Sequence, residues 1–222
     1  MKKFLILIAL VISSNSYAVS FSDLFTRYMK YDASFGVGQV NIVEKNDFNS
    51  DLTFTYLDFG GGLSLIVNRK YLFSAKVSVK KFINLEYTQQ NQSGSAEISS
   101  AYADLYFSAS KLWHGYLVTL GYDNLNYFVG AREDVIEPIR IDRVSLAAAW
   151  RKFAIKNLTP SLKLGVFIPV AEDVSGFDVN LGATYKLTKK ISSTIYIYKG
   201  LLEANGNESD STAYGVSANY RF

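Results

Sequence analysis

The sequence has no cysteine, three prolines and one histidine in 222 residues. Without cysteine the chain can form neither a disulfide framework nor a thiolate metal site, and we expect no cofactor or metal. The scarcity of proline suits long strands, because proline cannot donate to a sheet ladder. Lysine and arginine are not clustered on a predicted element, so the sequence indicates no nucleic-acid partner.

Long hydrophobic runs are also scarce. The longest run, residues 4–12, is too short for a membrane helix, which needs about 20 apolar residues. Lys2 and Lys3 precede this run, and Ser16-Tyr17-Ala18 follows it with small residues at the positions that a signal peptidase requires. We therefore interpret residues 1–18 as a secretory signal peptide that is removed on export.

Residues 19–32 are predicted to form a short amphipathic helix. Five apolar residues follow the spacing of one helical face: Phe21, Leu24, Phe25, Tyr28 and Met29. The pattern does not name the partner of this face, so the helix could lie in a membrane leaflet or pack at the mouth of the domain that follows.

Tyrosine (16), phenylalanine (15) and glycine (15) are plentiful, and from residue 33 onward apolar and polar residues alternate. Alternation with period 2 predicts strands with one apolar face, for example Leu164 and Val166 on the seventh segment and Leu181 on the eighth. In the second segment the parity changes between Tyr56 and Leu57 before the triplet 60–62, which predicts a bulge or bend. Ten segments are predicted, at 33–43, 51–66, 71–87, 96–109, 115–128, 141–152, 160–170, 175–187, 191–199 and 212–222.

The last nine residues combine this alternation with an aromatic ending. Tyr214, Val216, Ala218, Tyr220 and Phe222 form the apolar set. The segment resembles the C-terminal signal strand of bacterial outer-membrane β-barrels, with Tyr214, Tyr220 and Phe222 as the expected assembly signal. It departs from that family at position 217, where a serine stands in place of the favoured glycine.

The resemblance implies an all-β fold: a single antiparallel transmembrane β-barrel over residues 33–222, with ten strands, or eight as the alternative. It places the protein in the outer membrane of a Gram-negative bacterium, as a monomer in the class of the OmpA, OmpX, OmpW and opacity proteins, with the subfamily open. The implied partners are outer-membrane lipids and lipopolysaccharide, the barrel-assembly machinery, and a host or other cell-surface ligand.

The connections fall into two sets, as bacterial barrels require. If the last strand runs toward the periplasm, the short basic turns near 68–70, 110–115, 152–160 and 188–190 are periplasmic. The more polar and acidic connections at 44–50, 88–95, 130–140, 171–175 and 200–211 are then extracellular loops. A soluble β-sandwich would also contain short strands, but it does not predict this sorting.

Charged residues on the polar faces of the strands are predicted to point into the lumen. Both signs are present, so these residues could pair and fill a narrow barrel or line a water path in a wider one. The predicted lumen network is Lys76, Lys80, Glu86, Asp104, Arg151, Lys163, Asp178, Lys186 and Arg221.

No catalytic residue is predicted. His114 lies in a predicted periplasmic turn beside Trp113, whereas surface proteases and lipid A acyltransferases of the barrel type need a histidine at the outer face. The leading hypothesis is a non-enzymatic structural or adhesive protein that acts through its loops. The alternatives are a small passive pore and, third, a surface hydrolase or acyltransferase.

Overall fold

The computed structural model describes residues 29–45, 50–67, 71–89, 92–96, 101–128, 138–151, 155–168, 174–204 and 207–222. The predicted signal peptide and residues 19–28 of the predicted helix lie outside these ranges. Within them, no helix is long and apolar enough to cross a membrane. The described elements are β1 (Met29–Lys45), β2 (Asp51–Val67), β3 (Tyr71–Gln89), β4 (Gln92–Ala96), β5 (Ala101–Trp113), β6 (Tyr116–Phe128), β7 (Pro138–Trp150), β8 (Leu158–Ile168), β9 (Val174–Lys186), β10 (Ile191–Ala204) and β11 (Asn207–Arg221).

The strands form a closed antiparallel barrel. Each strand pairs with its neighbours in sequence, and β1 closes the sheet by pairing with both β2 and β11. β4 and β5 both pair with β3, at its end and along its first part respectively, so eleven elements occupy ten positions around the barrel. The prediction of an all-β, ten-stranded barrel is confirmed. Closure leaves no open sheet edge, which a sheet in lipid requires.

The boundary predicted between helix and barrel is wrong by at least four residues. Residues 29–32, assigned to the helix, belong to β1 and extend its ladder with β2, from Met29 opposite Leu65 to Asp32 opposite Gly62. On the other side the Phe222 N–H donates to the Tyr31 carbonyl at 3.1 Å. These backbone hydrogen bonds place residues 29–32 in the barrel, although the spacing of the apolar side chains predicted that they belong to the helix.

The outer face of the barrel is apolar. The side chains of Leu164, Val166 and Leu181 are 46%, 58% and 55% exposed, and Ile195 and Ile197 on β10 are about as accessible. A protein in water rarely exposes aliphatic side chains over a continuous surface, whereas a barrel in lipid presents such a band to acyl chains. The alternation predicted for β8 and β9 therefore places its apolar set outside.

The predicted bulge exists, but it lies on the partner strand. β2 keeps its parity, and its pairing with β1 has no break. The register with β3 shifts instead: Thr55 is opposite Asn84 and Tyr56 is opposite Phe82, so Ile83 is the extra residue. The apparent change of parity in β2 arises because Phe54 and Tyr56 are apolar residues that point into the lumen, where both are buried.

The glycine triplet of β2 makes room for side chains from its two neighbouring strands. A Cβ on Gly62 would lie 2.6 Å from a carboxylate oxygen of Asp32 on β1, and one on Gly60 would lie 2.8 Å from Cε of Lys76 on β3. Gly61, which points outward, has no such neighbour. The triplet is thus a shallow inward groove rather than a bend.

We use two names for the ends of the barrel. The turn end carries residues 114–115, 151, 155–157 and 187–190, and the loop end is opposite. At the turn end, His114 and Gly115 have positive φ values of 45° and 90°, as in a two-residue hairpin turn. The lumen at the loop end is apolar and contains two buried clusters, which consist of Ile42, Leu52, Phe54, Tyr56, Phe82 and Leu85, and of Ile141, Phe167, Val174 and Leu202.

Candidate functional site in the barrel lumen

A buried arginine organises one half of the lumen at mid-height. Arg143 on β7 donates from Nε and Nη2 to one oxygen of Asp123 on β6, at 3.0 and 2.6 Å. Its Nη1 donates to Asp178 on β9 at 2.9 Å. All three side chains are at least nine-tenths buried. The two carboxylates compensate the guanidinium charge, which would otherwise be costly to bury.

Lys163 connects this group to Tyr106 on β5. The Lys163 ammonium on β8 donates to Asp123 at 2.7 Å. It also lies 5.9 Å from the ring centroid of Tyr106 on β5, within the range of a cation–π contact. In the order of strands β6 and β7 separate β5 from β8, so the contact crosses part of the lumen.

A second ion pair continues the network. The Lys80 ammonium on β3 donates to Asp104 on β5 at 2.7 Å, and the Tyr106 hydroxyl donates to the same carboxylate at 3.2 Å. Lys80 also lies 5.8 Å from the ring of Tyr56 on β2. The Tyr56 hydroxyl bonds the hydroxyl of Tyr196 on β10, although β1 and β11 stand between their strands.

Together these contacts form one network, which we call the central belt. Its members come from β2, β3, β5, β6, β7, β8, β9 and β10 and bond across the lumen as well as along its wall. The members are Tyr56, Lys80, Asp104, Tyr106, Asp123, Arg143, Lys163, Asp178 and Tyr196.

Side-chain hydrogen bonds of Asp104 and Asn126 take the place of backbone pairing where the β5–β6 ladder ends. The ladder between β5 and β6 runs from Trp113 opposite Tyr116 to Leu105 opposite Asn124 and stops there. Beyond it the Asn126 backbone N–H donates to the Asp104 carboxylate at 2.8 Å, and the Asn126 amide donates to the Ala103 carbonyl at 2.7 Å. Side chains thus satisfy backbone groups where the two strands separate.

Two cavities lie on either side of the belt. The loop-end cavity has a volume of about 280 Å³ and the turn-end cavity about 390 Å³. Asp58, Tyr106 and Lys163 line both, so these three side chains form the partition between them. Asp58 accepts a hydrogen bond from Ser78.

Toward the turn end the lumen wall includes several small hydroxyl residues. Ser110 and Thr119 bond across β5 and β6 at 2.8 Å, and Thr184 and Thr194 bond across β9 and β10 at 2.9 Å. Asp32 and Lys76 also line this part of the lumen, in the turn-end cavity.

The residues of the predicted lumen network occupy three kinds of position. Lys80, Asp104, Lys163 and Asp178 belong to the belt, and Lys76 lines the turn-end cavity. The structure leaves Glu86, Arg151, Lys186 and Arg221 outside the belt, with exposed side chains. Glu86 does not point inward, because the extra residue Ile83 reverses the parity of β3 beyond it.

The prediction from sequence did not include Asp123 and Arg143, two buried members of the belt. Both lie on the inward parity of their strands: Asp123 aligns with Thr119 and Gly121, and Arg143 with Ser145. The signal was present, but Arg143 stands among isoleucines and valines and Asp123 among tyrosines and asparagines, so hydropathy alone did not separate the faces.

The remaining predicted residues lie at the surface. His114 is exposed in the β5–β6 turn, with its ring 5.3 Å from that of Trp113. Tyr214, Tyr220 and Phe222 are exposed on the outer face at 53%, 39% and 68%. Among the described residues, no group of three or more aspartate, glutamate or histidine side chains could hold a metal ion.

No protein-family model and no curated protein sequence matches the chain. Among solved structures it is similar to a monoaromatic hydrocarbon channel, CymD, at 11% identity over 89% of this chain and 70% of that one, with a TM-score of 0.45. The beta domain of the Bordetella autotransporter BrkA gives 10% identity over 88% and 100%, with a TM-score of 0.46. The KdgM porin gives 12% identity over 86% and 99%, with a TM-score of 0.44.

Proposed function

We propose that the protein is an integral outer-membrane β-barrel of a Gram-negative bacterium whose lumen is closed at mid-height, and that it serves a non-enzymatic structural or adhesive role through its loop end. The central belt is the observation that supports closure. Its hydrogen bond between Tyr56 and Tyr196 and its contact between Lys163 and Tyr106 each bridge two intervening strands, and the belt lies between the turn-end and loop-end cavities.

The apolar outer face supports the membrane location. Aliphatic side chains on β8, β9 and β10 are exposed around a closed sheet, and this surface suits acyl chains rather than water. The adhesive role rests on the sequence of the connections at the loop end, which are polar and acidic. Deleting residues 130–137, the part of this connection that precedes β7, and measuring adherence to host cells tests it, and unchanged adherence would argue against this loop.

A small passive pore is the second candidate. Its support is the position of the two cavities, which only Asp58, Tyr106 and Lys163 separate. Movement of the Tyr106 ring or the Lys163 chain would join them into one path. The CymD and KdgM proteins are named as a channel and a porin, and the pore hypothesis would give this chain a comparable role.

Conductance separates the two candidates. We expect the purified protein in a planar bilayer to show no steady current of porin size, because the belt blocks the lumen. Replacing both Tyr106 and Lys163 by alanine should raise the current, since it removes two of three partition residues while Asp123 keeps its bonds from Arg143. The control is Thr184→Ala, a lumen substitution outside the belt.

Swelling of sugar-loaded vesicles supplies a second measurement. Steady conductance and sugar uptake by the unmodified protein would reject the closed barrel and favour the pore. A closed unmodified protein whose double variant is equally closed would show that other residues block the lumen.

A further inference from the structure

The two ends of the barrel differ strongly in charge. At the turn end the described residues include one acidic side chain, Asp32, which points into the lumen, and eight basic side chains that are all exposed. At the loop end acidic side chains include Glu44, Asp51, Glu86, Glu203, Glu208 and Asp210. The basic side chains of the turn end are Lys30, Lys111, Arg151, Lys156, Lys186, Lys189, Lys190 and Arg221.

The described lysines and arginines of the turn end form no ion pairs with described acidic residues. The salt bridges near the loop end join Lys45 to Glu208 and Lys199 to Asp210, whereas no salt bridge joins the described residues of the turn end. The positive charge there is therefore available to an external anion.

A polar cleft concentrates this charge at the β9–β10 turn. It has a volume of about 240 Å³ and lies at the mouth of the lumen. Four basic side chains line it, Lys186, Lys189, Lys190 and Arg221, together with the Asp32 carboxylate and threonine and serine hydroxyls. The Thr188 hydroxyl accepts from the backbone N–H groups of Lys190 and Ile191 at 3.1 and 2.9 Å, so the turn is held without using a lysine side chain.

Lys190, at the rim of this cleft, reaches aromatic residues of the outer face. The Lys190 ammonium lies 5.8 Å from the ring centroid of Tyr220, and Tyr220 packs edge-on against Phe222 at 4.9 Å. On the far side of the barrel Lys111 lies 5.7 Å from the ring of Tyr71 in the same way. Aromatic rings at the membrane boundary with ammonium groups above them place the positive charge at the level of lipid headgroups.

We infer that the turn end is a binding site for the phosphate of anionic phospholipids in the leaflet that surrounds it, with the exposed β9–β10 turn, where Lys190 lies over Tyr220, as its strongest part. The ligand class follows from charge complementarity and depth: an anion, bonded by ammonium and hydroxyl donors, and attached to acyl chains that pack below the aromatic residues. This proposal rests on the membrane location proposed above, and it does not depend on whether the lumen conducts.

The test compares spin-labelled phosphatidylglycerol with spin-labelled phosphatidylcholine at the surface of the barrel in vesicles. We expect the unmodified protein to prefer the anionic lipid, and high salt to weaken the preference because exposed charges are screened. Replacing Lys186, Lys189 and Lys190 by glutamine should reduce the preference by a factor on the order of five.

The matched control removes the same charge from the other end, by replacing Lys45, Arg140 and Lys199 with glutamine. An equal fall in this variant, or no preference in the unmodified protein, would overturn the proposal. Stronger competition by lipopolysaccharide than by phosphatidylglycerol would overturn the choice of phospholipid. A conducting lumen would reject the closed barrel without changing the lipid ratio, so the two failures are distinguishable.

Discussion

At the scale of single residues, we expect the barrel to lose more stability when Arg143 is replaced than when any other member of the belt is. It makes three hydrogen bonds to two carboxylates, and the side chain of Asp178 has no exposed surface. Among the residues that the structure describes, one oxygen of Asp178 has no hydrogen-bond partner. Asp178 therefore depends on Arg143, whereas Asp123 also accepts from Lys163.

Replacing Arg143 by methionine should destabilise the barrel by about 3–5 kcal/mol, because it leaves the Asp178 carboxylate buried without a counter-charge. The measurement is urea unfolding in lipid vesicles, followed by the mobility of the unheated protein on gels. Combining Arg143→Met with Asp178→Asn should recover part of the loss.

The control is Lys199→Met, which breaks an exposed ion pair with Asp210. Surface pairs contribute about 0–1 kcal/mol, so this variant should unfold close to the unmodified protein. If Arg143→Met and Lys199→Met lose the same free energy of unfolding, the burial of the belt does not determine how much it contributes to stability.

The sequence predicts part of the belt and fails at identifiable residues. Lys80, Asp104 and Lys163 stand out because their strands alternate clearly. Tyr56 does not, since an apolar lumen at the loop end makes both faces of β2 look alike. The pairing of Tyr56 with Tyr196 could not be predicted, because it depends on how the closed barrel brings β2 near β10.

At the scale of elements, the sequence predicts strands well and their interruptions poorly. The ten predicted segments coincide with the ten observed strand positions. Each strand has one face toward lipid and one toward the lumen, and this produces the period-2 alternation in its sequence. Two features escaped prediction: the pairing of both β4 and β5 with β3, and the position of the bulge on β3, at Ile83, instead of on β2. Both are set by pairing with a neighbouring strand, and a single strand's pattern contains no record of its partner's register.

The lipid-facing set of β8 gives a prediction at this scale. Val166→Arg should cost about 2–4 kcal/mol of folding free energy, because it places a charge among acyl chains at mid-barrel. Val166 is 58% exposed and opposite Val144 and Phe177, well inside the ladder. Refolding into vesicles at a series of urea concentrations measures the cost.

Leu187→Arg is the depth control. Leu187 is equally exposed at 59%, but it lies in the β9–β10 turn, where the cost of arginine falls to about 0–1 kcal/mol. If both variants refold with the same free energy, the outer face of β8 does not contact the membrane interior.

At the scale of the whole molecule, the barrel depends on the meeting of its first and last strands. β1 and β11 pair over fourteen positions, from Asp32 opposite Arg221 to Lys45 opposite Glu208. Closure must therefore wait for β11, whatever the order in which the other hairpins form. The predicted assembly signal lies on this strand, so the segment proposed for recognition is also the segment that completes the sheet.

These two roles of β11 can be separated. Phe222 contributes one backbone bond to closure, from its N–H to the Tyr31 carbonyl, and its side chain is 68% exposed. Phe222→Ser keeps the backbone bond and removes the ring. If the ring is an assembly signal, the variant should refold in vesicles nearly as well as the unmodified protein, yet yield several-fold less compact barrel in the membranes of cells.

Phe177→Ser is the matched control for that prediction, because Phe177 is an exposed outer-face phenylalanine, 54% accessible, on a strand with no predicted signal. Phe177→Ser should lower refolding in vesicles and the yield of compact barrel in cells only by the small effect of losing one lipid-facing ring. If Phe222→Ser reduces refolding in vesicles and assembly in cells by the same factor, Phe222 acts through stability alone. If neither changes, the resemblance of β11 to an assembly signal has no functional meaning in this protein.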